Sequence, residues 1–506
     1  MTEPATRRTP GKEPRISTGV PGLDDVLCGG LTPSRLYLLE GTPGTGKTTI
    51  ALQFLREGAA RGERALYVTL SETSDELRAA AATHGWSLDG IDVYELVDEM
   101  GLDPDSEQSI LHPSELELGE TVKDVIARVG ETKPDRVVFD SLSELRLLAQ
   151  NPLRYRRQIL ALKRFFAKRA CTVLLLDDKT SETGDVQLHS IAHGVISLDQ
   201  MAREYGSERR RLRIVKMRGI KFSGGHHDFA LETGGIRVFP RLIASQHHAA
   251  FDPVAKSTGS AELDLLLGGG LVPGTNMLLL GPSGVGKTTT AVRCMKAALE
   301  RGETATYYLF DEGLATLMTR AATLGMDLRP HIESGRLTIT QIDPAEVSPG
   351  EFATMAREAV EKRGSSVVVI DSLNAYLHAM PGEEFLVLQM HELLSYLNQQ
   401  GITTLLVLGQ HGVVGEVRTD VDMSYLSDGI LLFRFFEAQG MVRTALSVMK
   451  SRVNAHERTI RELKLSEGGL EVGQALEDFE GVLTGLPAYR GKVAMLTGQA
   501  PAGGEA

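Results

Sequence analysis

Gly41-Thr42-Pro43-Gly44-Thr45-Gly46-Lys47-Thr48 and Gly281-Pro282-Ser283-Gly284-Val285-Gly286-Lys287-Thr288 are two copies of one pattern, G-x-x-x-x-G-K-[ST]. Each follows an apolar run, Leu36-Tyr37-Leu38-Leu39 or Met277-Leu278-Leu279-Leu280, and precedes a helix-like segment, 49–58 or 289–300. Strand, glycine-rich turn and helix in that order make a phosphate-binding P-loop. Glycine lets backbone N–H groups wrap around anion oxygens, and the helix N-terminus adds a favourable dipole. Lys47 and Lys287 are placed to reach the β- and γ-phosphates of ATP, and Thr48 and Thr288 to ligate Mg²⁺. Gly44, Thr45, Gly46 and Thr49, with Gly284, Val285, Gly286 and Thr289, complete the two cradles. A chance Gly-Lys-Thr turn explains one match but not two at the same phase of a repeat.

The repeat extends well beyond the loops. Ser17-Thr18-Gly19, Leu23-Asp24 and Gly29-Gly30-Leu31 lead into the first; Ser257-Thr258-Gly259, Leu263-Asp264 and Gly269-Gly270-Leu271 lead into the second. The offset is about 240 residues, the size of a domain, so a whole domain is duplicated. In each half a strand follows the P-loop helix, 65–70 and 304–310, and ends in acid: Ser71-Glu72, then Asp311-Glu312. A later apolar strand ends in aspartate and Ser-Leu: Arg136-Val137-Val138-Phe139-Asp140, then Val367-Val368-Val369-Ile370-Asp371. Apolar strands alternating with helices predict an α/β fold, a tandem pair of mainly parallel sheets with flanking helices. Ligands sit at the carboxyl ends of such strands, where the P-loops and the acidic residues fall. Antiparallel strands are expected to close each half: 194–198, 210–217 and 228–232, then 429–435, 443–449 and 459–465.

The 506 residues divide into a flexible N-terminal tail 1–14, a first domain 15–242, a linker 243–256, a second domain 257–490 and a tail 491–506 that is expected to be disordered. The net charge is −12, which disfavours general affinity for nucleic acid. Three widely separated cysteines, Cys28, Cys171 and Cys294, show no metal or disulfide spacing, so a reducing cytoplasm fits. No stretch is apolar enough for a membrane span, and the N-terminus has no apolar core of a secretory signal.

Asp140 and Asp371 end buried strands, where a charge needs a partner; Mg²⁺ beside the P-loop is the expected one, with a helix N-cap as the alternative. Glu72, Asp311 and Glu312 are candidates to orient water at the γ-phosphate, Asp311 also to ligate metal; helix capping is the bland alternative. Lys216 and Arg218, then Lys450 and Arg452, form Lys-x-Arg pairs at strand ends. Such a pair is either a surface feature or a cationic finger for a neighbour's ATP.

Together the two P-loops, the Ser-Thr-Gly…Leu-Asp…Gly-Gly-Leu openings, the acids after the next strand and Lys216-Met217-Arg218-Gly219 resemble KaiC, the two-domain circadian clock ATPases of the RecA superfamily. The likeness spans 14–485. It implies homohexamers of two stacked rings with ATP between subunits, the P-loop from one and the Lys-x-Arg strand from the next. It implies slow ATP hydrolysis in the first ring, Ser/Thr autophosphorylation and its reversal in the second, and partner proteins that read the state. By position it adds Thr83, Thr323, Met217, Ser451 and Arg443 as nucleotide contacts. Ser424 matches the family's phosphoacceptor serine, and Tyr425 stands where the family has threonine. Two departures stand out. Ser71-Glu72 replaces a carboxylate pair, and Lys450-Ser451-Arg452-Val453-Asn454 lacks the glycine that follows the first copy's arginine. A DNA-acting RecA-like motor, with Arg146, Arg154, Arg156 and Arg157 facing a channel, and a nucleotide-gated scaffold with little turnover are the rival readings.

Overall fold

The computed structural model describes residues 14–96, 113–149, 151–179, 186–202, 205–378, 385–410, 425–466, 469–484 and 488–489. Of the expected tails, 1–14 and 491–506, all but Pro14 lies outside the described residues, as does Ser424. The chain divides into two units, Met1–Arg241 and Leu242–Ala506. Residues 242 and 244 belong to the core of the second unit, where Leu242 and Ala244 are buried.

The first unit is a nine-stranded sheet of β1 (Leu36–Gly41), β2 (Ala65–Thr69), β3 (Ile91–Glu95), β4 (Arg136–Asp140), β5 (Thr172–Asp178), β6 (Gly194–Met201), β7 (Arg209–Met217), β8 (His226–Glu232) and β9 (Gly235–Phe239). Their spatial order is β3-β2-β4-β5-β1-β6-β7-β8-β9. The second unit repeats it with β10 (Asn276–Gly281), β11 (Ala305–Leu309), β12 (Leu337–Gln341), β13 (Val367–Asp371), β14 (Thr403–Gly409), β15 (Gly429–Ala438), β16 (Met441–Ser451), β17 (Arg461–Ser466) and β18 (Gly469–Ala475), in the order β12-β11-β13-β14-β10-β15-β16-β17-β18.

Six strands of each sheet run parallel, through β6 and β15, and the remaining three antiparallel. The strands expected to open the antiparallel part therefore belong to the parallel one on their β1 and β10 side. Burial on both faces explains their near-continuous apolar sequence. Alternate residues separate into two cores. Tyr37, Leu39, Tyr67, Val138, Leu174 and Leu176 meet Ile50, Phe54 and Leu55 of the P-loop helix Lys47–Ala60. Leu38, Leu66, Val68, Phe139, Val173 and Leu175 meet the opposite helices through Val125, Leu145, Ile159 and Leu162. The parallel register places the P-loop and the ends of β2, β4 and β5 along one end of the sheet, with Thr69 beside Asp140 and Gly41 beside Asp178.

Candidate functional site

Each P-loop turns out of its strand and into its helix through glycines with positive φ: +83° at Gly44, +93° at Gly46, +81° at Gly284 and +97° at Gly286. Such values admit glycine far more readily than other residues. At Gly46 a Cβ would also stand 2.7 Å from Ile236 Cδ1, so the loop is shaped by the core beneath it. Thr45 is fully buried and its hydroxyl donates to Thr42 O at 2.8 Å, closing the turn; Val285 is buried at the corresponding place.

In the second unit Lys287 Nζ lies across the loop, donating to Gly281 O at 2.8 Å and Pro282 O at 2.6 Å. Burial pulls this lysine down to about 8, partly offset by Asp371. Thr288 Oγ1 donates to Asp371 Oδ2 at 2.7 Å, and Tyr307 OH donates to the same oxygen at 2.6 Å. Ser372 Oγ donates to Asp311 Oδ2, and Glu312 pairs with Arg320 at 2.8 Å. Lys287, Thr288, Asp311, Glu312, Arg320, Asp371 and Ser372, with Ser283, Gly284, Gly286, Thr289, Leu324, Asn374, Val407, Gly409, Gln410 and Leu465, line a cavity of about 570 Å³. Burial holds the Asp371 carboxyl above its usual range, against the two hydroxyl donors. Among the described residues no group of three His, Cys, Asp or Glu side chains makes a metal cage by itself. A divalent ion here would take most of its ligands from phosphate and water, as Mg²⁺ does at P-loops.

The first unit keeps the same plan with a different charge layout. Lys47 Nζ donates to Gly41 O at 3.0 Å and Thr42 O at 3.2 Å, and also forms an ion pair of 2.6 Å with Asp178. Tyr67 OH donates to Asp140 Oδ2 at 2.6 Å, and burial raises the Asp140 carboxyl. Thr48 lies beside both. Thr69 pins the Ser71-Glu72 turn, accepting from Glu72 N at 3.0 Å and donating to Glu72 O at 2.7 Å. Burial, then Asp140 and Glu76, raise the Glu72 carboxyl. A half-buried acid with a raised pKa beside a second acid is the setting in which a carboxylate accepts a proton near neutral pH.

Thr83 and Thr323 end the helices Ser74–Thr83 and Leu314–Thr323, are exposed, and bond back to Ala80 O and Thr319 O. Thr323 lies between the cavity-lining Arg320 and Leu324. Arg443, paired with Glu462 at 3.4 Å, lies opposite Phe436 toward the P-loop edge of its sheet. Arg146, a residue of the nucleic-acid alternative, is tied to Asp177 at 2.7 Å.

The Lys-x-Arg pairs are not brought to their own P-loops. Met217 pairs with Gly194, which pairs with Tyr37, at the start of β1; the P-loop leaves its far end, where Gly41 pairs with Leu198. Four residues of strand and two strand spacings intervene, roughly 13 Å by 10 Å. Lys216 Nζ is turned further away, to His189 O and to Ala192 O at 2.9 Å, and Arg218 donates to Ser190 O at 2.6 Å. In the second unit Lys450 donates to Ser427 O at 2.7 Å, and Arg452 pairs with Asp428 at 3.3 Å and donates to Tyr425 O at 3.2 Å. Ser451 accepts from Asn454 N at 3.2 Å. The Met217 side chain is buried in the core, which leaves its backbone alone for any contact with a ligand.

Residues that sequence reasoning passed over are Tyr67, Tyr307, Thr69, Asp177, Asp178, Asn374 and Arg320. The two tyrosines carried a signal: Ala65-Leu66-Tyr67 and Ala305-Thr306-Tyr307 occupy the same phase of the repeat.

A family model described as the KaiC ATPase matches residues 16–243 and again 256–477. The chain belongs to the KaiC family of ATPases. It is 26% identical over 485 residues to the circadian clock protein KaiC3 of Synechocystis sp., covering 94% of this chain and 95% of that one. It is 27% identical over 488 residues to the circadian clock oscillator protein KaiC of Acaryochloris marina, covering 94% and 91%. With KaiC of Synechococcus elongatus the figures are 26% over 504 residues, covering 96% and 94%. The two family matches coincide with the two sheets, so each sheet is one KaiC ATPase domain. No helix among the described residues is long and apolar enough to cross a membrane.

Proposed function

We propose that this KaiC-family chain is a Mg²⁺-dependent ATPase of stacked rings, six subunits to a ring, with each nucleotide site completed by the neighbouring subunit. The observation that carries the reading is the placement of Lys216 and Arg218, and of Lys450 and Arg452, at the sheet edge opposite their own P-loops. Cations so placed would serve a phosphate across a subunit boundary, and a head-to-tail boundary of that kind makes a ring when its rotation closes.

Bound ATP would supply the transferable γ-phosphoryl group and Mg²⁺ the charge that offsets it. Lys47 and Lys287 would hold the β- and γ-phosphates, and Thr48 with Asp140, and Thr288 with Asp371 and Asp311, would hold Mg²⁺ directly or through water. In the first domain Glu72 takes the proton of the attacking water. In the second, Asp311 and Glu312 take it from water or from a protein hydroxyl.

We assign the hydroxyl transfer, and its reversal, to the second domain. Tyr425 is exposed and shares the Lys450–Arg452 edge, so a neighbour's γ-phosphate, not its own, comes within reach. Ser424 precedes it in sequence. A phosphate written there would be read by signalling partners, and a clock-like role is the form this takes in the relatives' names.

The test is to incubate pure protein with ATP and Mg²⁺, following assembly by light scattering, ADP release, and phosphorylated residues by mass spectrometry. Hexamers, steady ADP release and phosphate on Ser424 or Tyr425 are expected. A monomer that hydrolyses ATP at full rate would sink the shared-site reading, and unmodified hydroxyls would remove the autokinase half.

A further inference from the structure

The two sites differ in where they keep their carboxylates. After the strand next to the Asp140 or Asp371 strand, the second domain has Asp311 and the first has Ser71. On the other side of that aspartate strand, at the end of β5 or β14, the first domain has Asp178 and the second has Gly409. The register equates them: Gly41 pairs with Asp178, and Gly281 with Gly409.

Asp178 is aimed at the P-loop lysine. Its Oδ1 lies 2.6 Å from Lys47 Nζ, on a lysine that is 9% exposed, while Asp178 itself is 28% exposed. Its neighbour Asp177 is held elsewhere, by Arg146 at 2.7 Å and Ser143 at 3.3 Å. The backbone of Asp178 is fixed, its N–H donating to Ser143 Oγ at 3.0 Å. The carboxylate is therefore delivered to Lys47 from a rigid strand end, with its Oδ2 accepting from Ser143 Oγ at 3.4 Å and the side chain partly open to solvent. Among the described residues, Lys287 donates to backbone carbonyls at the corresponding place, and no carboxylate is paired with it.

We propose that Asp178 is a built-in competitor for the triphosphate at the first P-loop, which makes that site the weaker triphosphate binder of the two. The inference rests on the reading of both P-loops as ATP sites. A γ-phosphate reaching Lys47 must displace a carboxylate already on it, and then lies beside that carboxylate's negative charge. Both effects oppose binding, and both act more on a triphosphate than on a diphosphate. Like charges a few ångströms apart in a half-buried site change affinity by about tenfold or more. The exposed side of Asp178 gives the displaced group a route into water, so the site is weakened and not closed.

The experiment is calorimetric titration of the full chain with Mg²⁺ and a non-hydrolysable ATP analogue, and separately with ADP. In a Lys287→Ala background, which leaves the first site to be read, Asp178→Asn should tighten the triphosphate analogue about tenfold and ADP less. In a Lys47→Ala background, Gly409→Asp should weaken the analogue at the second site by a similar factor. Gly409 does not have positive φ, so its backbone admits a side chain, and a Cβ there would press on Asn374 Oδ1 at 3.2 Å, which must give by a few tenths of an ångström. Unchanged or weaker binding by Asp178→Asn, or unchanged binding by Gly409→Asp, overturns the proposal. No binding of either nucleotide in the Lys287→Ala background, with or without Asp178→Asn, overturns the nucleotide reading of the first P-loop itself.

Discussion

The Tyr67 hydroxyl donates to Asp140 Oδ2 at 2.6 Å, and Tyr307 repeats the contact on Asp371 at the same distance. Both tyrosines stand on the strand beside the aspartate strand, fully buried, two residue pairs back from its end. A hydroxyl on a carboxylate oxygen fixes which lone pairs remain for a metal ion or its water. Removing such a support typically costs ten- to a hundredfold in metal affinity. Tyr67→Phe and Tyr307→Phe should therefore raise the Mg²⁺ concentration that half-saturates ATP hydrolysis by about tenfold, with the fold retained. A Mg²⁺ titration of ADP release in each variant checks this; unchanged half-saturation would leave the tyrosines a packing role alone.

Arg136 opens β4 and is 1% exposed, yet it is a full charge. It pairs with Glu63, donates to Ser17 O at 2.8 Å and Phe54 O at 2.9 Å, and stacks over the Phe54 ring at 4.7 Å. The second domain has Val367 here. Breaking one partner of a buried pair costs about 3–5 kcal/mol because the acceptors are left unpaired. Arg136→Ala should lower the stability of the first domain by about that amount. The chain has one tryptophan, Trp86, whose ring closes on Gly235 and lies under Arg56 at 4.6 Å. Its fluorescence during urea unfolding reads the first domain of the full chain.

How much of this was legible in advance follows from the kind of signal each residue carries. The P-loops and the aspartates after buried strands are local patterns with a fixed chemical meaning, and they repeat. The parallel core followed from uninterrupted apolar strands. The edge strands β3 and β12 and the closing β9 and β18 carry no motif tied to the P-loops, so nothing in the repeat singled them out. Asp178 was hidden for a different reason. In sequence it is one acid in Asp177-Asp178-Lys179, and its meeting with Lys47, over a hundred residues earlier, exists through the pairing of β1 with β5. The Lys-x-Arg pairs were visible, but their distance from their own P-loops is a property of antiparallel return.

His227 is fully buried on β8, its Nε2 bonded to Ser223 O at 3.0 Å and its Nδ1 accepting from Arg241 N at 2.8 Å. That assignment requires the neutral ring, and burial holds its pKa below the ordinary 6.5. The unfolded chain then binds more protons than the folded one as pH falls through that value, so stability drops on acidification. The contribution is complete above pH 6.5 and is lost below it. The Trp86 unfolding midpoint should fall between pH 7 and pH 5, and His227→Gln, whose amide copies one donor and one acceptor, should make that slope shallower. An identical slope in the variant would assign the acid sensitivity to other groups.

A site that draws Glu72 from one subunit and Lys216 with Arg218 from the next must tolerate two different defects on different chains. Take one chain with Glu72→Gln and another with Lys216→Ala and Arg218→Ala, each also carrying Lys287→Ala so that the first domain alone is read. Either chain by itself should lose hydrolysis by about a hundredfold or more, since it lacks a water-orienting acid or a transition-state cation at every site. Mixed in equal amounts and reassembled, they form a sound site wherever the P-loop comes from the second chain and the basic strand from the first. Random placement around a head-to-tail ring makes that about one interface in four. Recovery to about a quarter of the rate of the Lys287→Ala chain is therefore expected. A domain that used its own basic strand would show no recovery at any mixing ratio.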